Sequence, residues 1–225
     1  MLQVVKKMPK TITVGVFDSG KGGKSVAEAV RHNFPNLEVI FRADTQNLPY
    51  GSKSPRDLLK LVVPIMIDLS KRCDVIVVAC NTITTTIIND LRQLIDTPII
   101  GIEPMVKPAS QITKSNVIAV CATPTTLKSG RYQQLKNAYA KNIIVLEPDC
   151  SKWAEMIEKN ELDSIEIQRT IEDVLEQKAD VIVLGCTHYH WIDKDIKKCA
   201  SNRAKILQPE DAIMSRLKTV LQQLD

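Results

Sequence analysis

Short β-branched apolar runs alternate along this chain with stretches whose apolar residues recur every three or four positions. That alternation predicts an α/β fold with a largely parallel sheet. Eight runs read as strands, over 11–18, 37–44, 74–80, 97–102, 116–122, 142–148, 180–186 and 205–208. Helical spacing covers 23–33, 55–71, 83–94, 127–138, 163–177 and 211–223. The stretch GIEPMVKPAS, with Pro104 and Pro108, breaks the alternation between the fourth and fifth strands and predicts a domain crossover there. The longest apolar runs, such as VIVVAC and VIVLGC, are far shorter than a bilayer span, so no membrane segment is expected.

Two strands end alike, one in Cys80-Asn81-Thr82 and one in Cys186-Thr187-His188. Each places a thiol at the carboxyl end of a buried parallel strand, where open α/β sheets bind ligands. One such end falls on each side of the predicted crossover.

The chain has 225 residues, enough for two small domains with real cores. Its 30 Lys and Arg against 26 Asp and Glu leave a charge of +4, spread along the chain rather than gathered into a run that would track a phosphate backbone. With 4% aromatic residues and no Cys/His zinc spacing, no nucleic-acid partner and no metal are expected, and a small anionic substrate fits the charge as well. The N-terminal MLQVVKKMPK lacks an apolar core of signal-peptide length, so a cytoplasmic protein is expected, its six cysteines free thiols.

A cysteine at a buried strand end is ordinarily a small hydrophobe, and Cys73, Cys121, Cys150 and Cys199 take that reading. Cys80 and Cys186 differ because hydroxyl, amide or imidazole side chains follow them at once, which reads as a site. The loop DSGKGG (18–23) joins a strand to a helix but has neither GxGxxG order nor GxxxxGK[ST] spacing. A substrate carboxylate can use the same backbone amides; equally, Asp18 and Ser19 can simply form a turn with an N-cap. ADTQNLPYGSKSP (43–55) compresses Asp44, Tyr50 and Gly51 into a loop at another strand end. His32 reads as a solvated cation at a helix C-terminus.

VGVFDSGKGGKSV, ADTQNLPYGSKS, VVACNTITT, IIGIEPMVKPA and LGCTHYH, in this order and spacing, resemble glutamate racemase, within the wider aspartate/glutamate racemase superfamily. The resemblance runs from about Thr11 to about Leu221. It implies two similar α/β domains with the active site in the cleft between them. The first comprises 1–104 completed by the C-terminal helix in 209–225, and the second 105–208. It also implies racemisation without a cofactor, interconverting L- and D-glutamate and supplying D-glutamate for peptidoglycan and hence for cell-wall growth and cell shape. Carried over by motif, Cys80 and Cys186 are the opposed acid and base at the substrate Cα, assisted by Asp18 and His188. The substrate would be held by Asp18, Ser19, Pro49, Tyr50, Gly51, Asn81, Thr82 and Thr187, with Thr123 as a further contact. Glu158 matches another acidic residue of the family's site. Members are often dimers, so a homodimer is compatible with the resemblance, although no interface is legible in the residues.

The residue types suit the chemistry. Inversion through a planar carbanion needs an acid and a base on opposite faces, and thiols serve as either. A free thiol is only a few per cent ionised at neutral pH, so a neighbouring base or cation must tune it.

The chain departs from the family pattern at several places. CTHYP becomes CTHYH, with His190; the usual Asp-Ser pair near the C-terminus becomes Gln208-Pro209 ahead of Glu210 and Asp211; CNTAS becomes Cys80-Asn81-Thr82-Ile83-Thr84. In CATPTTLKSG, Ala122 and Thr125 replace two glycines. His188 stands where aspartate racemases tend to carry Glu, which favours glutamate. The changes near 83 and 208 keep open another substrate such as aspartate, and an inactive binding protein on this fold is the third reading.

Overall fold

A computed structural model describes residues 11–224. The N-terminal segment read above for its signal, and the outermost ends of the first expected domain, lie outside the described residues.

All eight strands form, in two parallel four-stranded sheets. The first holds β1 (Thr13–Asp18), β2 (Glu38–Ala43), β3 (Val75–Val78) and β4 (Ile99–Gly101) in the order β2-β1-β3-β4. The second repeats that order as β6-β5-β7-β8, from β5 (Val117–Cys121), β6 (Ile144–Leu146), β7 (Val181–Leu184) and β8 (Lys205–Leu207). The α/β expectation therefore holds, with strands one to four residues shorter than the apolar runs.

Alternating side chains of each strand feed two cores, as the pleat requires. Ile76 and Val78 enter one side of the first sheet with α2 (Pro55–Ser70) and α3 (Asn81–Leu94). Val75 and Val77 enter the other with α1 (Lys24–Asn33) and α10 (Glu210–Leu221). In the second sheet Ile182 and Leu184 pack with α7 (Trp153–Lys159), α8 (Ser164–Glu176) and α9 (Asp193–Ala200). Val181 and Val183 pack with α4 (Val106–Ile112) and α6 (Gly130–Tyr139). The last helix of the chain thus returns to the first sheet, through Ile213, Met214, Leu217 and Val220.

Four helical details depart from expectation. The proline-containing stretch that breaks the alternation carries a helix not read from the sequence, α4, which Pro108 does not interrupt because it sits in the first turn, where no intrahelical N–H is required. The segment 127–138 is two helices, α5 (Pro124–Lys128) and α6, divided at Ser129, whose hydroxyl caps α6 by accepting from the Tyr132 N–H. α3 begins at Asn81 rather than 83, directly after the first thiol. The seven- and eight-residue α7 and α9 were not predicted, being too short for a helical period to show. Among the described residues no helix is long and apolar enough to cross a membrane.

Candidate active site

In each sheet the chain order reverses between the two middle strands, and open α/β sheets form their ligand crevices at the carboxyl ends beside such a point. Asp18 ends β1 and Cys80 follows β3 next to it; Thr123 follows β5 and Cys186 follows β7. The two crevices face each other across one cavity of about 670 Å³. Both thiols line it, with Ser19, Pro49, Tyr50, Gly51, Asn81, Thr82, Thr123, Thr187 and His188. Asp18, the remaining predicted residue, is fully buried behind this wall. A larger cavity, about 920 Å³, opens elsewhere between β4, α6 and α10, and neither thiol lines it.

The loop DSGKGG is built for close approach. A Cβ on Gly22 would fall 2.6 Å from Thr187 Oγ1 and 2.7 Å from the His188 backbone nitrogen, so glycine lets the two halves touch at this point. The contact positions the Thr187 hydroxyl to donate to Asp18 Oδ2 at 2.9 Å. Asp18 Oδ1 accepts from the Ser19 N–H at 2.7 Å. Burial pushes the Asp18 carboxyl up, opposed by His188 and by these donors. The Ser19 hydroxyl stands between Asp18 and the first thiol, 3.4 Å from Asp18 Oδ1 and 3.5 Å from Cys80 Sγ. Burial and the Asp18 charge both raise the Cys80 thiol well above its ordinary range, so it is held as S–H.

The second thiol has a different surround. Cys186 Sγ lies 3.6 Å from His188 Nδ1, and His188 Nε2 lies 2.6 Å from Glu158 Oε1. The same carboxylate oxygen accepts the Lys21 N–H at 2.6 Å, and Lys21 Nζ donates to the Glu158 carbonyl at 2.8 Å. Burial pushes the His188 imidazole down, but Cys186, Glu158 and Asp18 outweigh it and raise it to about 11. Burial likewise pushes the Glu158 carboxyl up, and His188 and Lys21 hold it below its ordinary value. A Cys186–His188⁺–Glu158⁻ chain results, partly screened from water.

The cleft floor is the amino end of α3. Asn81 is buried there with neither its Oδ1 nor its Nδ2 partnered, which costs about 1–3 kcal/mol unless a ligand supplies the bonds. Helix-start amides beside it favour an anion. Across the cleft Thr82 and Thr123 hydroxyls lie 3.1 Å apart, and Thr123 also caps α5. The Thr125 hydroxyl donates to the Gly51 carbonyl, tying the second half to the loop before α2. In that loop Asp44 is the organiser, accepting from Tyr50 Oη at 2.6 Å and from Asn47. Tyr50 therefore offers the cleft its ring and backbone, its hydroxyl being engaged.

All the predicted site residues converge here. Sequence reasoning missed Lys21 and the lining by Ser151 and Ala154 around α7, since that helix carried no legible pattern. Cys73, Cys121 and Cys150 are buried in the cores, as their apolar contexts predicted, and His32 is exposed. Ile83 is fully buried in the first core and does not line the cleft.

The model of the Asp/Glu/Hydantoin racemase family matches residues 24–216. The chain is 41% identical over 213 residues to the glutamate racemase of Aliarcobacter butzleri, covering 91% of this chain and 82% of that protein. It is 35% identical over 216 residues to that of Stutzerimonas stutzeri, covering 92% and 81%. Among solved structures, Escherichia coli glutamate racemase in complex with L-glutamate and the activator UDP-MurNAc-ala superposes with a TM-score of 0.87 at 29% identity, covering 95% of this chain and 83% of that one.

Proposed function

Since the chain belongs to the Asp/Glu/Hydantoin racemase family, we propose that it is a glutamate racemase, interconverting L- and D-glutamate by proton transfer between two thiols without a cofactor. The observation that carries this reading is that Cys80 and Cys186, from corresponding positions of the two sheets, line opposite sides of one cleft. Names of relatives from several organisms support glutamate as the substrate.

Cys186, with the His188 imidazolium beside it, acts as thiolate and takes the Cα proton. The electron pair of the Cα–H bond passes into the substrate carboxylate as an enediolate. Cys80, held as S–H, delivers its proton to the opposite face, and the reverse reaction exchanges the two roles. Asn81, Thr82 and the amides at the start of α3 meet the developing oxygen charge. Asp18 and Ser19 orient the first thiol, and Asp18 with Thr187 joins the two halves behind the substrate. The packing of α4 on the second sheet and of α10 on the first supports a domain division at 104/105 with the segment from 209 belonging to the first domain. Supply of D-glutamate for peptidoglycan, in the cytoplasm, belongs to the same reading. The aspartate alternative rested on residues near 83 and 208, and neither Ile83 nor Gln208 lines the cleft.

Incubation in D2O with each enantiomer of glutamate and aspartate tests the proposal. Deuterium at Cα and loss of optical rotation are expected with glutamate; neither with any of them would leave the binding-protein reading standing.

The pH dependence supplies a sharper check. His188 binds its proton more tightly folded than unfolded, so its contribution to stability is whole below about 6.5 and fades as pH rises toward 11. Glu158 runs the other way, its contribution present above 4.5 and lost in acid. Glu158→Gln removes the counter-charge from the imidazolium. The alkaline limb of the kcat/KM profile is then expected to move down by about one pH unit or more; an unmoved limb would separate His188 from the rate.

A further inference from the structure

Two places at which this chain departs from the racemase pattern, His190 and Gln208-Pro209, are joined in space through the residues beside them. His190 belongs to the 3₁₀ turn Thr187–Ile192, two residues beyond His188, and its side chain is buried with neither ring nitrogen hydrogen-bonded. Its Nδ1 lies 3.6 Å from Oε1 of Glu210, within ion-pair reach. Glu210 opens α10, which is anchored in the first core by Ile213 and Leu217. One rung away, Gln208 Nε2 donates at 3.1 Å to Asp193 Oδ2, where the same turn runs into α9. The chain returning to the first domain is thus fastened twice to the turn that carries Thr187 and His188.

We propose that His190 and Glu210 form an interdomain clasp that fixes the Cys186–His188 turn relative to the first domain, making His190 a positioning residue for the second thiol. This rests on the racemase reading. A buried imidazole with no neutral partner is costly, and the carboxylate facing it is what offsets that cost. The Glu210 carboxyl is held below its ordinary value, chiefly by His190, against burial and the nearby Asp193. The Asn81, Thr82 and Ser19 groups of the other domain are untouched by the clasp. Its loss should therefore spare substrate binding while letting the second thiol drift from its working distance to Cα.

The test uses the full chain as His190→Ala, Glu210→Gln and the double variant, each checked for a parental circular-dichroism spectrum. All three are expected to lose about tenfold in kcat with KM within about twofold, the double no worse than the singles. In D2O a carbanion formed on the Cys80 side waits longer for Cys186, so solvent exchange without inversion should rise for one enantiomer and not the other. Independently of turnover, the rate of iodoacetamide alkylation at Cys186, read by mass spectrometry, should change about threefold or more while that at Cys80 does not. Losses that multiply in the double variant, or unchanged alkylation at Cys186, overturn the clasp. A parent that neither exchanges nor inverts glutamate overturns the racemase reading instead, and the alkylation rates still decide the clasp.

Discussion

Serine in place of Cys80 or of Cys186 is expected to lower inversion of glutamate by about a thousandfold or more, since a positioned acid or base contributes about 10²–10⁴ and an alcohol ionises far less readily than a thiol. The replacement is nearly isosteric, and both thiols, although buried at the edges of their cores, line the cleft. Loss of rate with an unchanged melting profile is therefore the expected pairing. The two variants should differ in kind. With Cys186→Ser the remaining thiol is the one held as S–H by burial and Asp18, whereas with Cys80→Ser the thiol beside His188 remains. Cys80→Ser should accordingly keep the faster Cα deuterium exchange, for one enantiomer and without inversion. Near-normal turnover in both directions from either variant would sink the two-thiol mechanism.

Gly22→Ala should cost kcat/KM about a hundredfold, the scale of a displacement near 1 Å at a reacting group. The added Cβ would meet the Thr187 hydroxyl at 2.6 Å, the His188 nitrogen at 2.7 Å and the Thr187 carbonyl carbon at 2.8 Å. Two of these three atoms are backbone, so relief requires the whole turn to move. Movement there would break the Thr187–Asp18 bond and shift His188 against Cys186 and Glu158. Gly130→Ala is the control, because a Cβ at Gly130 has nothing within 4 Å. Comparable losses from both variants in steady-state kinetics would show that the glycine loop is not a special contact.

The two variants probe features with unequal sequence signals. The thiols could be singled out because CNT and CTH are polar endings on apolar strands, and strand ends of parallel sheets are sites. Gly22 could be assigned to a turn, but the backbone it touches lies 165 positions away in sequence, from 22 to 187. Asp18 shows the same limit. Its place beside the first thiol is legible, but that it reaches Cys80 through the Ser19 hydroxyl and holds Thr187 of the other half with its second oxygen is not.

Local pattern alone determined the eight strands and the six longer helical segments, and it singled out two of the six cysteines, because periodicity and strand-end polarity are properties of neighbours in sequence. The linked motifs added the racemase resemblance. Only the tertiary structure decided that Pro108 lies inside a helix, that Glu158 rather than solvent faces His188, and that His190 meets Glu210. Each of these depends on where a first turn begins or on which distant side chain fills a buried space, and close packing between two domains fixes that, not the residues on either side.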